Sequence, residues 1–231
     1  MKVIVINLND RKDRLDLFKT EWSWLPFEVS EGIRDTILHK GCGLAHINAI
    51  RKGLSENEWC LILEDDAVLN CTQNVFLEQI QLVTHSIQIQ WDAVFLGANS
   101  HTLFSRPTQI ERVNDYFFKI SKTKSIRSCT AMLWSRNALP LLDSYEIILK
   151  KNVIFAIDRM LTSHCYPWEL KDGEWDESKD TETIDVLPNV WICKNCLVVQ
   201  REGLYSDNTL TYSLNYDDKS EYLNSLYDSS V

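Results

Sequence analysis

The sequence predicts an α/β protein built on a single mixed, mostly parallel sheet flanked by helices. Three observations carry that reading. Short apolar or β-branched runs recur at residues 3–8, 59–63, 91–97, 129–134 and 190–199, each bounded by polar residues. Between them lie stretches whose apolar residues return at helical spacing. One run, Trp59-Cys60-Leu61-Ile62-Leu63, stops at Glu64-Asp65-Asp66, and the carboxyl ends of strands are where open α/β sheets bind ligands.

Each element has its own signal. Residues 3–8 are β-branched and read as a buried first strand. Asn9-Asp10 follows as a turn, with Asp10 the expected cap of a helix that carries Leu15, Leu17 and Phe18. Phe27-Glu28-Val29 is a short second strand. Gly41-Cys42-Gly43 is expected to break the chain before a helix bearing Leu44, Ala45, Ile47, Ile50 and Leu54. The acidic strand comes next, then a helix near 73–84 and a strand at 91–97. Residues 99–107 are polar and loop-like, and 117–120 suit an edge strand. Residues 129–134 form a strand, 137–151 a helix with Pro140 in its first turn, and 190–199 the late strands. Seven acids against two lysines between 171 and 185 predict a solvated loop or mobile lid, with Trp168 and Trp175 exposed at its edges. Without a repeat or linker the chain reads as one domain, 1–231, with a polar tail from about 208.

Net charge is −9, which argues against nucleic acid or an anionic membrane as the main partner. No run approaches the ~20 apolar residues of a membrane span, and the opening apolar run is too short for a signal peptide. The seven cysteines are odd in number and irregular in spacing, as expected of reduced thiols in a soluble cytoplasmic protein. Cys193-Lys194-Asn195-Cys196 is a lone CxxC, read as two strand cysteines around a turn rather than a zinc site.

Three adjacent carboxylates at a strand end repel one another unless a cation neutralises them. A hard divalent ion, Mn²⁺ or Mg²⁺, suits such oxygen ligands and commonly shares them with phosphates. Asp66, last of the three, is the expected metal ligand, with Glu64 and Asp65 on metal-bound water or ribose hydroxyls. Strand alternation would put Glu64 and Asp66 on one face and Asp65 on the other. Arg11 and Arg14 follow the first strand, where a nucleotide would sit, and a guanidinium can grip a phosphate through two bonds. Gly97, at a strand end, would allow close backbone approach to a sugar. The plainer readings are a solvated acidic strand end, solvated arginines on a first helical turn, and a His46 that caps or buttresses its helix.

Four stretches taken in order resemble glycosyltransferase family 25, the lipopolysaccharide-type and collagen-type sugar transferases. They are Val5-Ile6-Asn7-Leu8-Asn9-Asp10-Arg11-Lys12-Asp13-Arg14; Gly41-Cys42-Gly43-Leu44-Ala45-His46, leading to Leu63-Glu64-Asp65-Asp66; residues 129–136 with Ile157-Asp158-Arg159; and, more weakly, Gln200-Arg201-Glu202-Gly203-Leu204-Tyr205-Ser206-Asp207. Ala45 stands where that family usually has serine, and Ser128-Cys129-Thr130 where it has a Gly-Thr pair.

The resemblance implies a GT-A fold and a metal-dependent, inverting sugar transfer. The donor would be a nucleoside-diphosphate sugar, UDP-galactose or a related UDP-sugar by family habit, and the acceptor a glycan or protein hydroxyl. It implies Asn7, Arg11, Arg14, His46, Glu64, Asp65 and Gly97 at the nucleotide sugar, and Asp66, Glu64 and Asp207 at Mn²⁺ or Mg²⁺. Asp158 would be the base near the acceptor; its plainer reading is the cap of a helix at 159–164. Two rivals stay open: a nucleotidyltransferase, although 9–14 lacks the expected glycine-rich phosphate loop, and a non-catalytic sugar-binding module that retained the fold.

Overall fold

The computed structural model describes residues 1–37, 39–85, 90–99, 110–120, 127–149, 157–163 and 188–201, with short pieces at 165–166, 170–171, 174–175 and 182–183. The first half runs β1 (Lys2–Asn7), α1 (Lys12–Glu21), β2 (Glu28–Glu31), α2 (Lys40–Leu54), β3 (Trp59–Glu64), β4 (Ala67–Leu69) and α3 (Gln73–His85). Then come β5 (Ala93–Asn99), β6 (Ile110–Arg112), β7 (Phe117–Ile120), β8 (Arg127–Ser135), α4 (Leu139–Leu149) and α5 (Ile157–Ser163). Four two-residue strands follow, β9 (Cys165–Tyr166), β10 (Leu170–Lys171), β11 (Glu174–Trp175) and β12 (Glu182–Thr183), before β13 (Val190–Cys193) and β14 (Val198–Gln200).

Eight strands form the main sheet in the order β2-β1-β3-β8-β5-β13-β7-β6. Strand β1 pairs in parallel with β2 and β3, and β13 with β5, while β8 runs antiparallel to both β3 and β5. With β7 antiparallel to both β13 and β6, the sheet is mixed: three of its seven neighbouring pairs are parallel and four antiparallel, although six of the eight strands run the same way. Alternation along each strand builds two cores. Ile4, Ile62, Phe95, Met132 and Ile192 face one way, onto Ile47 and Ile50 of α2, Leu142 of α4 and Leu161 of α5. Val5, Leu63, Val94, Leu133 and Trp191 face the other way, onto Phe18 of α1, Trp22, and Phe76 and Val83 of α3. Helices α1 and α2 thus lie on opposite faces. The chain leaves β1 for β2 on one side and returns to β3 on the other, so the order reverses between β1 and β3. That crevice is the topological switch point.

Several expectations are corrected. Asp10 does not cap α1: the residue before the helix is Arg11, with no side-chain cap, and Asp10 pairs with Arg34 at 2.9 Å instead. Leu17 is exposed, and Phe18 with Trp22 carries the burial. Gly41-Cys42-Gly43 lies inside α2, not ahead of it. A Cβ on Gly41 would come within 2.2 Å of the Ile33 carbonyl oxygen, so glycine is there to let the preceding loop pack on the helix. Strand β7 is interior; β6, which the sequence did not signal, forms the edge beside it. Within 171–185 the described pieces pair as β10 with β11 and β12 with β9, so the segment is not wholly loop. Residue 168, the Trp175 side chain, the tail from 208 and Asp207 lie outside what is described.

Cys42, Cys60, Cys71, Cys129, Cys193 and Cys196 are free thiols. Cys193 ends β13 and Cys196 precedes β14, as a pair around a turn. Among the described residues no helix is long and apolar enough to cross a membrane.

Candidate active site

The carboxyl ends of β1 and β3 and the start of β8 meet at the switch point. A cleft of about 110 Å³ opens there, lined by Ile6, Leu8, Arg14, Cys42, Ala45, Glu64, Asp65, Asp66 and Gln200 among others. Asn7, the last residue of β1, donates its amide to Asp65 Oδ2 at 2.6 Å, bridging the two strand ends. Arg14, buried in the first turn of α1, contacts Asp65 Oδ1 at 2.5 Å and Asp66 Oδ2 at 2.6 Å. Gln200 Nε2 donates to the same Asp66 oxygen at 2.8 Å, and the Arg201 backbone N–H donates to the Asp66 carbonyl at 2.7 Å. Asp66 Oδ1 is buried with no hydrogen-bond partner among the described residues.

Glu64 turns the other way. Its Oε1 lies 3.1 Å from His46 Nε2 and 3.9 Å from Cys42 Sγ, both on α2, while Thr130 on β8 donates to Oε2 at 3.4 Å. Strict alternation fails because β3 ends at Glu64. Asp65 and Asp66 occupy the turn before β4, and there both can reach Arg14. Glu64 thus spends its hydrogen bonds on α2 and β8, while it lines the same cleft as Asp66 and its charge reaches that residue.

The electrostatics divide along the same line. Burial pushes Asp65 up to about 6, against the pull of Arg14 and Asn7. Burial and the charge of Glu64 push Asp66 up to about 7, with Arg14 and Gln200 opposing. Burial would raise Glu64 too, but the hydrogen bond and charge of His46, with Arg14, hold it below its ordinary value. His46 is fully buried, which alone would lower it; contacts with Cys42 and Glu64 outweigh that and raise it to about 10. Asp65 and Asp66 thus share one arginine while burial holds both carboxyls above their ordinary values. With an Asp66 oxygen that has no hydrogen-bond partner among the described residues, these hard oxygen donors fit a divalent cation held by Asp66 with Asp65.

Asp158 lies in the first turn of α5, which starts at Ile157, so it does not cap a helix at 159–164. Its Oδ2 accepts from the Ser128 backbone N–H at 2.9 Å. Ser128 Oγ and Thr130 Oγ1 are 2.6 Å apart, so a continuous polar chain runs Asp158–Ser128–Thr130–Glu64. Ser128 holds φ at 87°, a region L-residues rarely adopt, and strain of this kind gathers at functional sites. Arg11 is turned to Asp13, its Nε 3.1 Å from Oδ1, while its charge still reaches Asp65. Gly97 is explained by packing, not by a sugar: a Cβ there would lie 1.8 Å from the Val198 carbonyl oxygen, where β14 crosses the end of β5.

Sequence reasoning gave no role to Cys42, Ser128, Thr130 or Gln200. Each stood in a quoted motif, but only the packing of α2, β8 and β14 around β3 reveals what it touches.

No protein-family model matches the chain, and no curated protein matches it. Among solved structures it is similar to a protein from STIV, at 13% identity and a TM-score of 0.41 over 95% of this chain and 97% of that one. It is also similar to a glycosyltransferase involved in the glycosylation of the major capsid of PBCV-1, at 12% identity and TM-score 0.37 over 64% of each chain. A third is 4-diphosphocytidyl-2C-methyl-D-erythritolsynthase from Anaerococcus prevotii DSM 20548, at 11% identity and TM-score 0.39 over 98% of this chain and 78% of that one. Likenesses this distant assign no activity, and the functional reading rests on the site.

Proposed function

We propose that the chain is a metal-dependent, inverting glycosyltransferase of GT-A type, taking a nucleoside-diphosphate sugar as donor and a glycan or protein hydroxyl as acceptor. One observation supports this most: at the β1/β3 switch point, Asn7, Arg14, Asp65 and Asp66 form a charged cleft whose last carboxylate keeps one oxygen without a hydrogen-bond partner among the described residues. Bound between Asp66 and Asp65, Mn²⁺ or Mg²⁺ would supply Lewis-acid stabilisation to the diphosphate leaving group. The chain's own residues do the rest. Arg14 and Asn7 hold the two aspartates in place, and Gln200 steadies Asp66 from β14. Asp158 takes the proton of the acceptor hydroxyl as its oxygen bonds to the sugar carbon and the diphosphate departs from the opposite face. The cleft, about 110 Å³, has room for a diphosphate rather than a whole nucleotide sugar, which calls for a pocket of about 300–1,000 Å³. UDP-galactose or a related UDP-sugar is the first donor to try, and Asp207 remains a proposed further metal contact.

A panel of nucleotide sugars with and without Mn²⁺, read by thermal shift, tests the reading. A cognate donor at 100 times its Kd stabilises the fold by roughly 2.7 kcal/mol. Asp66→Asn should keep the fold and lose the Mn²⁺-dependent part of that shift. Equal donor binding by parent and variant in Mn²⁺ removes Asp66 as ligand.

A further inference from the structure

A cluster of potential ligand atoms of different chemistry lies in the same cleft as Asp65 and Asp66. Cys42 Sγ, His46 Nε2 and a carboxylate oxygen of Glu64 gather on the α2 side of the β3 end, and the ligand atoms of these three residues all lie within 4.8 Å of one another. Among the described residues no other three His, Cys, Asp or Glu side chains converge so closely. Tetrahedral zinc, with bonds of about 2.0–2.3 Å, sets its ligand atoms about 3.4–3.6 Å apart. Here the His46–Glu64 and Cys42–Glu64 separations are 3.1 and 3.9 Å, one slightly inside and one slightly outside that spacing. Cys42 and His46 sit four residues apart on one helix, so α2 presents both to the strand end together. The His46 ring is fully buried and cannot swing away to water, while Cys42 and Glu64 line the cleft and give an ion a route in.

We propose that Cys42, His46 and Glu64 form a three-ligand site for a borderline-soft divalent ion, Zn²⁺ above all, with its fourth position open toward the cleft. Thiolate and imidazole select zinc over magnesium or manganese, whereas the Asp65–Asp66 oxygens have the opposite preference. The two ions would therefore sort themselves between two adjacent places. This inference does not rest on sugar transfer.

The test uses Co²⁺ as a spectroscopic stand-in for Zn²⁺, added to the purified full chain in a non-chelating reductant. A thiolate-to-cobalt charge-transfer band saturating at one ion per chain, and bleached by Zn²⁺ but not by Mg²⁺, is expected. Cys42→Ser should abolish the band and weaken Zn²⁺ binding by at least roughly 10- to 100-fold, a loss that even supporting residues of metal sites produce. Asp65→Asn should leave the band intact. Zn²⁺ should also protect Cys42 of the parent chain from alkylation, mapped by mass, so a misfolded variant does not decide the matter. Absence of the band in the parent, its survival in Cys42→Ser, or alkylation of Cys42 at the same rate with Zn²⁺ as without would overturn the site. None of these results bears on whether a nucleotide sugar binds at Asp66.

Discussion

Glu64 and the Asp65–Asp66 pair are neighbours in the chain, yet the fold treats them in opposite ways. Glu64 has a partner of its own, His46, and is held below its ordinary value. Asp65 and Asp66 must share Arg14, and both are raised, to about 6 and about 7. Burial works against all three carboxylates, so it does not explain the difference. The partners do: His46 outweighs burial at Glu64, whereas at Asp66 the charge of Glu64 adds to burial. One carboxylate has a histidine to itself; the other two divide one arginine.

The most damaging way to break this contrast is to remove Arg14. Arg14→Gln leaves Asp65 and Asp66 buried without their shared cation, and breaking a buried pair costs about 3–5 kcal/mol. Chemical denaturation should show that loss, partly recovered in Mn²⁺. A variant as stable as the parent would mean the arginine is not what holds the pair.

Next in size is Asp158, at the far end of the polar chain from Glu64. Asp158→Asn keeps an oxygen for the Ser128 N–H, so melting should change little while sugar transfer falls at least ~100-fold. Transfer at near-parental rate would reduce Asp158 to a structural acceptor.

The contrast also predicts a pH signature. An acid raised in the folded state keeps its proton longer than the unfolded chain does, so stability falls as pH rises between the two values. For Asp65 and Asp66 that window runs from the ordinary 3.8 to about 6 and about 7. Glu64 acts in the opposite sense: its contribution is present above the ordinary 4.5 and is lost as pH falls through its lowered folded value. In chelator, the melting temperature of the parent should carry a downward component from about pH 4 to pH 7 that Asp66→Asn reduces. Superimposable profiles for parent and variant would assign the titration elsewhere.

The smallest effect belongs to Thr130→Val, which keeps the shape and removes the hydroxyl between Ser128 and Glu64. At 3.4 Å the bond to Glu64 is long, and its loss should cost about 1 kcal/mol or less in equilibrium unfolding. A much larger loss would show that the polar chain acts as a unit.

Much of the frame was legible because it is local. The β-branched run at 3–8, the acidic end of β3 and the helical spacing after Cys42 each state their element within a dozen residues. The triplet announced a charged site at a strand end; that this end lies at a switch point follows only from the strand order β2-β1-β3. What the sequence did not reveal depends on partners distant in the chain. Gly97 looked like a place for a ligand until Val198 proved to lie against it. Alternation assigned Asp65 and Asp66 to opposite faces, which holds only while the strand continues, and β3 stops one residue earlier. Cys42 was read as part of a chain break because two glycines flank it; those glycines instead sit within α2, and Gly41 is there for the loop packed on it.

The strand that supplies Gln200 sets a schedule for synthesis. Asp66 and the side chain that steadies it are 134 positions apart, and β4, which continues from Asp66, has β14 as its partner strand. At about 5–20 residues per second, on the order of ten seconds separate the emergence of the two from a ribosome. Through that interval the nascent chain carries the ends of β1 and β3, with an acidic crevice still missing one wall. Nucleotide or metal ion arriving early would meet Asp66 without Gln200, so the tight form of the site is reserved for chains completed through β14.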